Sequence, residues 1–157
     1  MKISSVPLMC WDIIAMDQTW LTQKTQRQKE KEALLDLSKK MRWLLDGSIL
    51  DDNDSQALVL TDSQKHIIWV NDGFKLMTGY SKKFAIGKNP KFLQGIDTLD
   101  SSRNSLRDKL KSGKPFSEQI LNYKKDGSAY MCEITIYPLL NEHHETKAFL
   151  ALEKEIQ

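Results

Sequence analysis

The chain has 157 residues, enough for one domain with its own hydrophobic core, and its 40% apolar and 28% charged residues are ordinary for a globular protein. Twenty-three Lys and Arg against 21 Asp and Glu leave a net charge of +2, which gives no reason to expect nucleic acid or a membrane surface as partner. Cys10 and Cys132 stand far apart and outside any metal-type spacing, no apolar stretch is long enough to span a bilayer, and the N-terminus is a poor secretory signal, so a reducing, cytoplasmic setting is expected.

Residues 1–50 read as an N-terminal helical arm and 51–157 as the folded domain. Met1 to Leu21 mixes Met9, Trp11, Ile13, Ile14, Met16 and Trp20 with few charges, a short helix or arm that must pack on something. Thr22 to Asp46 lacks Pro and Gly and is dominated by good helix formers. Leu34, Leu37, Met41 and Leu44 fall on one face of that helix, and Gly47 is placed to end it in a left-handed cap. This stripe suits the domain's own sheet or a short dimer bundle. Arg27 and Glu30 interrupt it before it reaches coiled-coil length. Asp51 to Ser55 is a polar break.

Beyond the break the period shifts to that of strands. Ala57–Leu60 and His66–Val70, joined by the polar turn 61–64, predict a hairpin. Asn71 is placed to cap a helix through Phe74, Leu76 and Met77 that stops at Gly79. Residues 87–95 read as a compact loop or single helical turns, and Ser101 to Lys111 as a helix ending at Gly113. Three strands follow, over 118–123, 129–137 and 148–156, with a tight Asp126-Gly127 turn and a loop at 141–146. Strands flanking a helical middle predict an α+β fold: one antiparallel sheet, short helices on one face, a pocket between the two layers, and the arm on the other face or in a dimer.

Three blocks then resemble a known family. Trp69 to Ser81 (WVNDGFKLMTGYS), Gly87 to Gly95 (GKNPKFLQG) and Asn122 to Leu139 (NYKKDGSAYMCEITIYPL) are similar to the strand-to-helix segment, the GxNCRFLQG signature and the late hairpin of PAS domains of the LOV branch, the flavin-binding blue-light sensors. The resemblance runs from Ala57 to Ile156 and implies a five-stranded PAS sheet with FMN as its cofactor. It places Asn89 and Gln94 on the ribityl chain, Lys91 and Arg107 on the phosphate, and Asn122 on the pyrimidine edge. It also exposes departures. Pro90 stands where the family has the cysteine that bonds to the flavin after light absorption. Cys132 stands where it has an asparagine, and Glu153 where it has the glutamine of the last strand, both of which meet the ring. An ionised Glu153 offers only acceptors, whereas a protonated one can donate as the amide does. Phosphate and sugar contacts are thus retained and ring contacts altered.

Each of these residues also has a plainer use. Asn89, Gln94 and Asn122 suit turn and strand-end hydrogen bonds, Lys91 and Arg107 a solvated face, and Cys132 inert packing rather than a reactive thiol. His143 and His144 lie in a polar loop beside Glu142 and Glu145, more suited to solvent than to metal, and His66, a conceivable haem ligand, sits at a strand start. No GxSxG, P-loop, HExxH or kinase signature is present, so no enzyme is expected. The expected function is a sensory PAS domain, FMN-binding but unable to form the cysteinyl adduct. Its output would pass through the arm, a homodimer and a downstream signalling protein. The alternative is a ligand-free PAS module that only dimerises or docks a partner.

Overall fold

The computed structural model describes residues 9–51 and 54–157, with the backbone alone for 9–13. The opening residues 1–8, the side chains of Met9, Cys10, Trp11 and Ile13, and Asp52 and Asn53 of the polar break lie outside the described residues.

Helix α1 runs unbroken over Met9–Met41, where the composition had suggested two pieces. The shift from apolar to polar near Thr22 contains no helix breaker, and residues 14–26 are exposed on both sides of it, so the apolar residues of this stretch are not packed on the domain. The helix also ends earlier than Gly47. Arg42 takes the left-handed conformation at φ 58. Its N–H reaches the Lys39 carbonyl at 3.2 Å and the Trp43 N–H reaches the Ser38 carbonyl at 2.8 Å. This is a Schellman cap with arginine in the position glycine usually takes, secured by burial of Trp43. Gly47 instead begins a 3-10 turn, Gly47–Leu50, capped by Asp46.

The domain is a five-stranded antiparallel sheet of order β2-β1-β5-β4-β3. Its strands are β1 (Ala57–Asp62), β2 (Ile67–Val70), β3 (Phe116–Tyr123), β4 (Ala129–Leu140) and β5 (Thr146–Ile156). Between β2 and β3 lie α2 (Asp72–Thr78), α3 (Lys82–Ala85), a 3-10 turn at Pro90–Leu93, and α4 (Asp100–Lys111).

Alternation divides the sheet into two buried faces. On central β5, Ala148, Leu150 and Leu152 point to the outer face, where Leu34 and Trp43 of the arm cover them. Phe149 and Ala151 point inward with Val59, Ile120 and Ile134, under Phe74 and Leu93. β1 is buried on both sides, which explains its unbroken apolar run. The predicted leucine stripe splits: Leu34 is buried and Leu37 packs against the same cluster, whereas Met41 and Leu44 are exposed. The Leu44 N–H continues the sheet edge by donating to the Leu140 carbonyl at 2.7 Å.

The charges that interrupt the stripe are what fasten α1 to the domain. Arg27 donates to the Ser55 carbonyl. Lys31 pairs with Asp51 at 2.6 Å. Glu30, 8% exposed, accepts from Asn71 Nδ2 at 3.2 Å. The same Asn71 accepts, through Oδ1, from Leu58 N at 2.9 Å and from Phe74 N at 3.1 Å. One buried side chain therefore ties the arm, strand β1 and the start of α2 together.

Candidate ligand cavity

Between the inner face and the segment from Asn89 to Leu110 lies a cavity of about 520 Å³, open on one side to solvent. That is ample for a small-molecule cofactor. Its walls are apolar toward the sheet, with Val59, Ile134, Phe149 and Ala151, and polar and cationic toward the helices.

Local chemistry fixes the helical wall. The Asn89 side chain accepts from Lys91 N at 3.1 Å and caps the 3-10 turn, with Pro90 at the first position, where no N–H is needed. The turn leads through Leu93 to Gln94. Gly95 follows because a Cβ there would sit 2.3 Å from the Tyr123 ring. Tyr123 Oη donates to Asp97 Oδ2 at 2.9 Å, and Thr98 Oγ1 donates to the Leu121 carbonyl at 2.7 Å. These contacts pin the loop to β3 and hold Gln94 at the wall. Tyr80, Phe84 and Phe92 stack and edge together at 4.9–5.5 Å beside the turn.

Six of the seven predicted site residues line this one cavity: Asn89, Lys91, Gln94, Arg107, Asn122 and Glu153. Asn122 is buried on β3, while Lys91 and Arg107 are exposed at the open side. Arg107 is steadied by a 2.6 Å bond from Nη2 to Asn104 Oδ1. Cys132 is absent from the cavity wall. It is fully buried in the inner core, with Sγ 4.0 Å from Glu153 Oε2. Burial, reinforced by Glu153, holds its thiol far above the usual range, so it stays protonated and inert.

Glu153 is the unusual member. It is 4% exposed, and burial pushes its carboxyl from an ordinary 4.5 up to about 7. The Cys132 thiol is its side-chain neighbour, and no cation pairs with it among the described residues. Below about pH 7 it therefore holds its proton, and in that form it is able to donate a hydrogen bond.

Pro90, Arg103, Gln64 and Lys65 also line the cavity. The signal for Arg103 was present, since it precedes Arg107 by four residues and shares its helix face. Gln64 and Lys65 come from the β1–β2 turn, whose approach to the cavity is a tertiary fact. His143 and His144 are exposed, the loop being held instead by Asn141 Oδ1, which accepts from His143 N and Glu145 N at 3.0 Å each. His66 is exposed beside Asp62 at 3.4 Å. Among the described residues no cluster of metal-ligating side chains forms and no helix is long and apolar enough to cross a membrane.

A five-stranded antiparallel sheet whose inner face, roofed by short helices, encloses a cavity lined by amides and cations defines an α+β domain with an internal cavity. The PAS domain family model matches residues 55–157, and the chain belongs to that family. It is 34% identical over 104 residues to phototropin-2 of Oryza sativa subsp. japonica, covering 64% of this chain and 12% of the relative. It is 35% identical over 105 residues to the blue-light photoreceptor of Listeria monocytogenes, covering 65% of this chain and 41% of the relative. The chain thus spans well under half the length of either. A light-oxygen-voltage domain whose mechanism was studied with a flavin analogue superposes with a TM-score of 0.62 at 28% identity, covering 65% of this chain and 78% of that one.

Proposed function

We propose that this PAS domain is a LOV-like sensor that holds FMN in its cavity and signals without a cysteinyl adduct. The observation that carries the reading is the convergence of Asn89, Lys91, Gln94, Arg107, Asn122 and Glu153 on one cavity. Cations at the open side suit a phosphate, amides suit the ribityl chain, and the apolar sheet wall suits a flat ring system. When bound, the flavin supplies blue absorption and one-electron redox chemistry. The protein's part is to orient it. Asn122 meets the pyrimidine edge, and protonated Glu153 donates to a ring carbonyl in place of the family's glutamine amide. Pro90, at the position the resemblance gives to the adduct cysteine, offers no thiol, so the response to light or redox state rests on the flavin's electrons and on hydrogen bonds at Glu153.

Changes at Glu153 reach the arm by a short path. Glu153 pairs with Ala57 in the β1–β5 register, and the next residue, Leu58, donates to Asn71, which holds Glu30 of α1. The arm then acts on a second copy of the chain. Ile14, Met16, Trp20 and Leu21 are all more than half exposed on α1, a surface suited to homodimerisation and to a downstream protein. That same surface favours the second reading, a ligand-free module that only dimerises.

Reconstitution separates the two. FMN added to the purified, flavin-stripped chain gives a bound blue band with vibronic structure if the sensor reading holds. No binding, with dimerisation intact, leaves the second.

A further inference from the structure

Arg103 lies on α4 one turn before Arg107 and lines the same cavity. Its guanidinium is only partly used. Nη2 donates to the Gly95 carbonyl at 2.6 Å, and Nη1 lies 3.7 Å from Asp100, a carboxylate 90% exposed. Nε is buried and has no partner among the described residues. A buried N–H of a charged group without an acceptor is costly and is rarely left so. Lys65 faces the same space from the β1–β2 turn, and neither it nor Lys91 nor Arg107 has an acidic partner within 4.0 Å among the described residues.

Resting on the flavin reading above, we propose that Arg103, with Lys65 opposite it, completes the phosphate subsite. The Arg103 guanidinium donates to a phosphate oxygen of the ligand, and the cavity selects the phosphorylated flavin over the free one. The Gly95 contact fixes the guanidinium plane, so a planar donor meets the anion already oriented.

Binding of FMN and of riboflavin to wild type, Arg103→Gln, Arg103→Lys and Lys65→Met tests this by flavin fluorescence quenching. Removal of one charge-assisted bond is expected to weaken FMN about 10- to 100-fold in Arg103→Gln. Riboflavin affinity is expected to stay within about threefold, and Lys65→Met to show a smaller loss of the same selectivity. Arg103→Lys keeps the charge and loses Nε, and is expected to fall between wild type and Arg103→Gln. It stands in for Arg103→Gln should that variant fail to fold. Equal weakening of both flavins, the mark of a residue that only props up the Gly95 loop, overturns the proposal, as does unchanged FMN affinity. Wild type that binds neither flavin overturns the parent reading along with it, a result visible before any variant is made.

Discussion

Replacing Glu153 by glutamine should make the ligand-free domain more stable above neutral pH and no more stable below pH 5. The unfolded chain releases this proton near 4.5, whereas the folded chain holds it up to about pH 7, because ionisation would place an unpaired charge in the core. The folded state thus binds more protons across that window. The contribution of Glu153 to stability is greatest below 4.5, falls as pH rises to about 7, and levels off above. The separation of the two values corresponds to about 3 kcal/mol lost from the ionised fold. Glutamine has nothing to ionise. Urea unfolding followed by tryptophan fluorescence at pH 5, 6, 7 and 8 should give a difference between variant and wild type that grows toward about 3 kcal/mol. Taking the difference cancels every other group that titrates in the range. Curves that stay parallel from pH 5 to 8 would refute the reasoning, for Glu153 would then be ionised and solvated.

Other consequences follow from the same geometry. Arg107→Gln should weaken FMN while sparing riboflavin and should flatten the salt dependence of FMN binding, read by titration at low and high ionic strength. Pro90→Cys places a thiol on the cavity wall and should make the bound blue band bleach on illumination and recover in the dark. Wild type should not cycle in this way, and absorbance under blue light checks both. Leu34→Ala removes a 2%-exposed side chain between arm and sheet and should cost about 2–4 kcal/mol in chemical unfolding, whereas Leu44→Ala, 59% exposed, should cost little.

Much of the fold was legible because it rests on local rules. The Asp126-Gly127 turn, the Asn71 cap and the alternation of β4 appear where the residues dictate them, and five strands follow. The end of α1 was not legible, because a Schellman cap normally announces itself by glycine and here Arg42 is forced into the left-handed region by the burial of Trp43. Arg27 and Glu30 looked like defects in a dimer seam. Their role emerges only once Ser55 and Asn71 are brought against them across the sheet. The cavity was legible to the extent that its residues sit in recognisable blocks. Cys132 shows the limit. It lies on the inward side of β4, but how deep it lies depends on the pairing of β4 with β5, which sets it in the core behind the wall rather than at the surface of the cavity.

The most direct test is the absorption spectrum of the purified chain before and after adding FMN. A structured blue band with resolved vibronic shoulders, lost on mutating Asn89, Gln94, Asn122 and Arg107 together, is the predicted result. A featureless spectrum, with no uptake of FMN, would contradict the sensor account and leave a PAS module that works by protein contacts alone.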